Sequence, residues 1–186
     1  WMPTYRNSKN YHDSQDAIIF SLNDIEFSRM NKLLAEYEYH LYIKLHPLEE
    51  SHFKFKNNYS NIHMLSEDAI SQHYGTLYKF LGTTSALITD YSSVFLDYYL
   101  LNRPVAFTIN DYEEYKEKRG FVFDDVKSLM AGPTISNFDD LLVFLNSVMM
   151  SEDEFYVERN EINSIVNSIQ KDFTKTLLEN VGIEKS

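Results

Sequence analysis

The stretch LITDYSSVFLD, Leu87 to Asp97, joins an apolar segment to a polar turn and then to a helical pattern. The apolar residues before Asp90 are typical of a buried β-strand, and the pattern from Ser92 onward has helical spacing. Serine is a common helix N-cap, so capping accounts for one hydroxyl. The other hydroxyl of the pair Ser92 and Ser93 is left without a structural role, which raises the question of a ligand at this turn.

The whole chain alternates predicted strands and helices. Short apolar runs bounded by polar residues or proline are typical of buried strands, and such strands alternating with helices predict a parallel sheet in a doubly wound α/β domain. The predicted strands are HLYIKLHP (40–47), NIHML (61–65), ALITD (86–90) and RPVAFTI (103–109), and the first helices are 24–37, 68–81 and 92–101.

Other parts of the chain have weaker patterns. The run 17–22 fits a strand or an extended loop, and the stretch after Asn110 reads as loop-rich, with one helical turn and a short strand around 134–136. In the helix 68–81, Tyr78 falls on the apolar side and Gly82 is the expected cap. Two helices, 138–150 and 154–178, close the chain. We expect one α/β domain over residues 1–150, truncated in or near a first strand, and a helical segment over 151–186 that packs on it or on another part of a longer protein.

Composition excludes several classes of protein. The 186 residues are 44% hydrophobic, enough for one substantial core. The absence of cysteine excludes disulfides and thiolate metal sites, and the histidines lack the spacing of a zinc site. A net charge of −11 argues against broad binding to nucleic acid or anionic lipid. No run approaches the ~20 apolar residues that span a bilayer. The opening WMPT reads as a strand already under way, so we expect a piece of a longer protein.

Two polar features follow predicted strands. The first is the serine turn, residues 90–93, at the carboxyl end of a parallel strand, where open α/β sheets bind ligands. Free N–H groups at a helix start favour an anion there, and Asp97 lies on the same helical face as Ser93. The second is KLHP, where Lys44 and His46 share one side of a strand end and form a compact cationic or proton-donating site. Together these features predict a phosphate site.

Each feature also has a structural explanation. Ser92 or Ser93 alone is explained as a cap, Asp97 as a partner of the helix dipole, and a strand-end histidine such as His46 as a satisfied structural residue. The position of Lys44 beside His46, at the edge that carries the serine turn, favours the functional interpretation. No GxxxxGKS/T, GxGxxG or GxSxG motif occurs, so the common P-loop, the dinucleotide fingerprint and the hydrolase elbow are excluded.

Four segments, in this order, resemble the CDP-glycerol glycerophosphotransferases, which include teichoic-acid primases and polymerases and their capsule-building relatives. They are MPTYR, LYIKLHP, ALITDYSSVFLDYYLLNRPVAF, and YEEYKEKRGFVFD followed by AGP, and the likeness runs from Met2 to Pro133. It implies a bacterial, GT-B glycosyltransferase-like enzyme of two Rossmann-like halves, with this chain as the carboxyl-terminal, nucleotide-binding half. Such transferases move glycerol or ribitol phosphate from a CDP-activated donor to a hydroxyl of a lipid-linked or growing polymer, at the cytoplasmic face of the membrane.

The resemblance also implies roles for individual residues. His46 is the expected catalytic residue and faces the pyrophosphate of the donor together with Lys44. The hydroxyls of Ser92 and Ser93 cradle the pyrophosphate, and Asp97 reaches towards ribose or polyol hydroxyls. No metal or cofactor is implied beyond the CDP-linked substrate, and the histidine that activates the acceptor is expected in the other half, so the isolated chain is expected to be inactive. Further substrate-binding candidates are Arg6, Thr89, Asp90 and Arg119.

Two other interpretations stay open at this point. One is the nucleotide-binding half of a GT-B glycosyltransferase that uses UDP-sugars, which has the same sheet edge and the same kind of phosphate site. The other is a non-catalytic α/β interaction module resembling a receiver, in which Asp90 is phosphorylated or merely caps the helix. Competition between CDP and UDP distinguishes the UDP-sugar enzyme from the CDP-dependent transferase, and an absence of nucleotide binding identifies the interaction module.

Overall fold

The structure is a computed structural model that describes residues 1–4, 21–46, 55–169, 176–178 and 181. Within these residues the strands are β1 (Leu41–Ile43), β2 (Ile62–Met64), β3 (Leu87–Thr89) and β4 (Val105–Phe107). The α-helices are α1 (Asp24–Glu36), α2 (Glu67–His73), α3 (Leu77–Leu81), α4 (Val94–Tyr98), α5 (Tyr112–Lys118), α6 (Phe138–Met149) and α7 (Tyr156–Val166). Short 3-10 turns lie at Tyr99–Leu101 and Val126–Leu129.

The strands pair in parallel. β1 pairs with β2, and β3 pairs with β4. Beyond β4, Phe107 forms a parallel bridge with Thr134, so the short strand predicted around 134–136 is reduced to a bridge. The Phe107 carbonyl there accepts the N–H of Ile135 at 2.8 Å.

The amino-terminal segment, Trp1–Met2, lies between the two strand pairs. The N–H of Lys44 donates to the Trp1 carbonyl at 2.9 Å, and the N–H of Met2 donates to the Ile88 carbonyl at 2.8 Å. Backbone hydrogen bonds therefore connect the chain in the order β2, β1, Trp1–Met2, β3, β4 and residues 133–135. Trp1 donates to the Tyr42 carbonyl and accepts from Lys44, the pattern of parallel neighbours, and the other adjacent pairs are parallel too, so the carboxyl ends of the strands meet at one edge.

Helices cover both faces of the strands. Ile43 and Ile88 pack in a core with residues of α1 and α6. Leu87 and Phe107 point to the opposite side and pack in a second core with α2, α3, α4 and α7. This alternation within single strands buries both faces, as near-continuous apolar strands require. The predicted α/β fold with parallel strands is confirmed.

The prediction of one continuous helix over 68–81 is wrong, because the structure has two helices there, α2 and α3. Gly75 has a φ of +79°, in the left-handed region that a continuing helix does not use, and it separates α2 from α3. The Thr76 hydroxyl accepts the N–H of Lys79 at 3.3 Å and caps the start of α3. As a result, Tyr78 is 62% exposed instead of lying on the buried side.

Three further boundaries differ from the prediction or fall outside the described residues. The stretch after Asn110 holds more than one helical turn, because α5 has acidic residues in its first turn and basic residues in its last, which suits the helix dipole. Within the helix predicted over 154–178, α7 ends at Val166, and Asn167 donates through its side chain to the Leu96 carbonyl at 2.7 Å; residues 176–178 are again helical, and 170–175 lie outside the described residues. Most of the run 17–22 lies outside the described residues.

Candidate functional site

The serine turn, residues 90–93, connects β3 to α4 at the carboxyl edge of the strands. Ser93 already has helical backbone angles, with φ −58° and ψ −11°, and its side chain makes no capping hydrogen bond. Ser92 is half-buried and Ser93 is exposed. In the part of the chain that the structure describes, neither hydroxyl donates or accepts a hydrogen bond. Helix capping therefore does not explain the pair.

A buried carboxylate, that of Asp90, forms hydrogen bonds that hold the serine turn in place. Asp90 has no exposed surface, and its Oδ2 accepts the N–H of Thr4 at 2.8 Å while its Oδ1 accepts the N–H of Ser92 at 3.3 Å. The Thr4 hydroxyl also donates to Oδ1. The Asp90 side chain thus connects the serine turn to Thr4, two residues after the amino-terminal segment.

Thr89 is buried in the same layer. Its hydroxyl donates to the Met2 carbonyl at 2.7 Å, so the Thr89 side chain, like that of Asp90, bonds to another part of the protein. The substrate-binding roles expected for Thr89 and Asp90 stay predictions, and the contacts seen for these side chains are ones that hold the turn in place.

Lys44 and His46 follow β1 at the same edge as the serine turn, because β1 and β3 both run parallel to the segment between them. Lys44 is 8% exposed, and its Nζ lies 2.7 Å from Oε1 of Glu67, the first residue of α2. The Glu67 side chain is 59% exposed, so the ion pair lies at the rim of this edge. His46 is exposed. Sequence reasoning missed Glu67, since nothing in its local pattern sets it apart from an ordinary acid in the first turn of a helix.

Asp97, in the first turn of α4, contacts a residue of the neighbouring helix. The Tyr78 hydroxyl donates to Oδ2 of Asp97 at 2.8 Å. This hydrogen bond to the carboxylate, with a contribution from burial, raises the pKa of Tyr78 above its usual value. Tyr78 is thus a further residue in contact with a predicted site residue. The sequence offered no signal for it, because its spacing matches the apolar stripe of a continuous helix.

Arg119 lies just after α5, beside an aromatic cluster that reaches the serine turn. Its guanidinium is 5.6 Å from the ring centroid of Tyr115, and that ring is 4.2 Å from the ring of Tyr91. Phe121 stacks on Tyr115 at 5.4 Å, and the Tyr91 hydroxyl donates to Oδ1 of Asp111 at 2.8 Å. This cluster fixes the segment around Arg119 next to the serine turn. The sequence around Tyr91 and the sequence around Arg119 did not predict this contact.

The remaining candidate, Arg6, lies outside the described residues. Among the residues that the structure describes, no group of three or more His, Asp or Glu side chains is placed to hold a metal ion. Within the same residues, every helix is too short or too polar to cross a bilayer.

Residues 1–174 match the family described as CDP-Glycerol:Poly(glycerophosphate) glycerophosphotransferase. The chain is 28% identical over 145 residues to the teichoic acid ribitol-phosphate primase of Bacillus spizizenii, which covers 76% of this chain and 33% of that protein. It is 33% identical over 105 residues to the teichoic acid glycerol-phosphate primase of Bacillus subtilis, covering 56% of this chain and 26% of that protein. The chain thus spans a third or less of these relatives.

Solved structures have the same fold. The wall teichoic acid polymerase TagF superposes with a TM-score of 0.57 at 21% identity, over 97% of this chain and 43% of that one. A TagF variant soaked with CDPG superposes with a TM-score of 0.58 at 21% identity, over 97% and 42% of the two chains. Because the family match covers residues 1–174, most of this chain, the chain belongs to the CDP-glycerol:poly(glycerophosphate) glycerophosphotransferase family.

Proposed function

We propose that the chain is the donor-binding half of a transferase that moves glycerol or ribitol phosphate from a CDP-linked donor to a hydroxyl of a teichoic-acid or capsular polymer. The proposal includes a Rossmann-like, doubly wound domain over residues 1–150, the carboxyl-terminal half of a GT-B enzyme, and a helical segment over 151–186. Numbered along the chain, the hydrogen-bonded strand segments have the order 3-2-1-4-5-6. That order is the one found in dinucleotide-binding sheets, which bind their ligand where the strand order reverses.

The strand order reverses between Trp1–Met2 and β3, and the serine turn begins at the end of β3. The observation that carries the proposal is that both serine hydroxyls at this reversal point have no hydrogen-bond partner within the described residues. Two donors held side by side on a turn that Asp90 fixes suit the oxygens of a pyrophosphate. Hydrogen bonds to a charged group contribute about 1.5 to 3 kcal/mol each.

Cationic groups at the same edge complete the proposed site. Lys44 pairs with Glu67 in the structure, and we propose that the donor phosphate takes the place of that carboxylate, whose side chain is mostly exposed and gains solvation when released. Arg119 lies beside the aromatic cluster, and we propose that it approaches the pyrophosphate from the side of β4. Arg6 is proposed to contribute from the segment that follows Thr4.

The chemistry follows from the charges that develop. The oxygen of the acceptor hydroxyl attacks the phosphorus that carries the polyol, the bond from that phosphorus to the bridging oxygen breaks, and CMP leaves with the bridging oxygen. The acceptor proton passes to a base, which we place in the other half of the enzyme. Lys44, Arg119 and the serine donors stabilise the charge on the departing CMP. His46 is proposed to donate a proton to it, because an imidazole can act as a general acid near neutral pH.

The relatives support the wider part of the proposal. The curated ones carry the names of glycerol-phosphate and ribitol-phosphate primases and polymerases, and a related structure was soaked with CDPG. On that basis we propose a nucleotide-diphosphate donor, a lipid-linked or polymeric acceptor, and action at the inner face of the membrane by a peripheral full-length protein.

Titration of the 186-residue chain with CDP and UDP, followed by ligand-observed NMR, tests the proposal. We expect weak binding that favours CDP, and a loss of tenfold or more in affinity when Ser92→Ala and Ser93→Ala are combined, with an unchanged melting temperature. The matched control combines Ser71→Ala and Ser168→Ala, two exposed serines. Equal binding of CDP by both double variants contradicts the proposal. Preference for UDP favours the glycosyltransferase alternative, and the absence of nucleotide binding favours the interaction module.

A further inference from the structure

Two histidines are in direct contact beside β1 and β2, away from the candidate site. His40 lies one residue before β1, and His63 lies within β2. Nδ1 of His40 is 2.9 Å from Nε2 of His63, and the two ring centroids are 5.1 Å apart. Lys44 and the serine turn follow their strands, whereas His40 precedes its strand. The histidine pair therefore lies towards the amino-terminal edge and has no part in the proposed donor site.

The strand register places both rings on one side of the strands. Side chains alternate along a strand, so His40 and Tyr42 share a side of β1, and Tyr42 is the register partner of His63. The ring of Tyr42 lies 5.1 Å from that of His63 and packs edge-on against buried Phe80 at 5.5 Å. The His63 ring is thus supported by a fixed neighbour. His40 is exposed, so its ring is free to adjust.

The distance between the two nitrogens is close to the one that a shared metal ion imposes. Two imidazoles bound to a tetrahedral ion, with each nitrogen about 2.0 to 2.1 Å from it, have those nitrogens roughly 3.3 Å apart. A small rotation of the exposed His40 ring opens the distance from 2.9 Å to that value and directs both lone pairs at one point. The backbone positions of the two histidines need not change.

The protonation of the pair is compatible with metal binding. In the structure, one of the two facing nitrogens has to carry the proton that the other accepts. When an ion binds, that ring moves its proton to its outward nitrogen, and both facing nitrogens then present lone pairs. A neutral imidazole is the form that binds a metal ion. Burial, and secondly the charge of His40, lowers the pKa of His63, which keeps its ring neutral at pH 7.5.

We propose that His40 and His63 together bind a divalent transition-metal ion such as Zn²⁺ or Ni²⁺, which connects the segment before β1 to β2. Imidazole suits these ions, whereas Mg²⁺ prefers oxygen ligands. Among the residues that the structure describes, no third His, Asp or Glu side chain joins the pair to form a metal-binding group. Water therefore completes the coordination, and we expect modest affinity. The inference is independent of the proposed function, because it requires no ligand at the serine turn.

Calorimetric titration of the 186-residue chain with Ni²⁺ at pH 7.5, in the presence of excess Mg²⁺, tests the proposal. The Mg²⁺ competes for carboxylates, which are numerous in a chain with a net charge of −11. We expect His40→Gln and His63→Gln each to weaken Ni²⁺ binding tenfold or more, since a single imidazole is left. The matched control is His73→Gln, at an exposed histidine of α2, which should bind Ni²⁺ like the wild-type chain.

Two further measurements locate the ion. Ni²⁺ is paramagnetic, so the NMR signals of the His40 and His63 rings should broaden at lower Ni²⁺ concentrations than those of His73. Saturating Ni²⁺ should raise the melting temperature of the wild-type chain and of His73→Gln but not of His40→Gln, because an ion bound only by the folded state stabilises it. His40→Gln alters an exposed side chain, so it decides the test if His63→Gln does not fold. Absence of Ni²⁺ binding to the wild-type chain, or equal affinity in His40→Gln and His73→Gln, overturns the inference.

Discussion

Replacement of Arg159 by methionine is expected to destabilise the fold more than any other arginine substitution within the described residues. Arg159 lies on α7 with no exposed surface. Its Nε donates to Oδ1 of Asn102 at 3.1 Å, and its guanidinium donates to the Asn102 carbonyl at 3.4 Å and forms an ion pair with Asp153. Asn102 has a φ of +45° and ends the 3-10 turn that follows α4. A single side chain therefore holds α7, Asp153 and the end of the 3-10 turn after α4 together.

The size of the effect follows from what is left behind. Removal of one partner of a buried ion pair costs about 3 to 5 kcal/mol, because the other charge stays without compensation. The Asp153 side chain is 19% exposed and can recover part of its hydration, so the lower end applies. We expect a loss of about 3 kcal/mol, which corresponds to a fall of roughly 6 to 12 °C in melting temperature for a chain of this length. Arg159→Lys keeps the charge but not the planar set of donors, and it should be intermediate.

Urea unfolding followed by far-UV circular dichroism measures this loss. The control is Arg29→Met, the same substitution at an exposed arginine that packs over the ring of Phe138 at 5.1 Å. It should cost less than about 1 kcal/mol, since the value of such a contact at an exposed site is about 0.5 to 1 kcal/mol. If Arg159→Met costs no more than Arg29→Met, the reasoning about the buried network is refuted.

Three further perturbations have defined outcomes. Gly132→Ala should destabilise by about 3 kcal/mol or more in the same urea assay, because the added Cβ lies 1.9 Å from the Val105 carbonyl oxygen, on the backbone of β4. Asp90→Asn should cost several kcal/mol by thermal melting and should weaken CDP binding, because an amide group cannot accept all the hydrogen bonds that the two carboxylate oxygens receive. Burial, and secondly the charge of His40, lowers the pKa of His63. Because the folded state then binds fewer protons than the unfolded state near and below pH ~6.5, the free energy of unfolding should fall as the pH is lowered from 7.5 to 5.5. The variant His63→Gln should show a smaller fall.

The sequence was a reliable guide to the strands and to most helices. β3 and β4 are buried at every position, as their apolar sequences predict, whereas β2 contains His63 and ends at the exposed Met64. The break at Gly75 was missed because an isolated glycine inside an apolar stripe at helical spacing is tolerated in many helices. The early end of α7 depends on Asn167 reaching the Leu96 carbonyl, a contact between residues far apart in sequence.

The candidate site was only partly predictable. That β1 and β3 deliver Lys44 and Ser92 to one edge follows from parallel pairing, which strand and helix alternation predicts. The pairing of Lys44 with Glu67 and of Tyr78 with Asp97 depends on how α2 and α3 are oriented relative to the strands. Spacing along a chain carries no information about such contacts between elements, so they had to be read from the structure.

The location of the phosphorus atoms of CDP in a crystal of this chain soaked with the nucleotide tests the central claim most directly. The account predicts that a phosphate oxygen lies within about 3 Å of both the Ser92 and the Ser93 hydroxyl oxygens, at the carboxyl edge between Trp1–Met2 and β3. Nucleotide bound at the opposite edge of the strands, with both serine hydroxyls left in solvent, would contradict it.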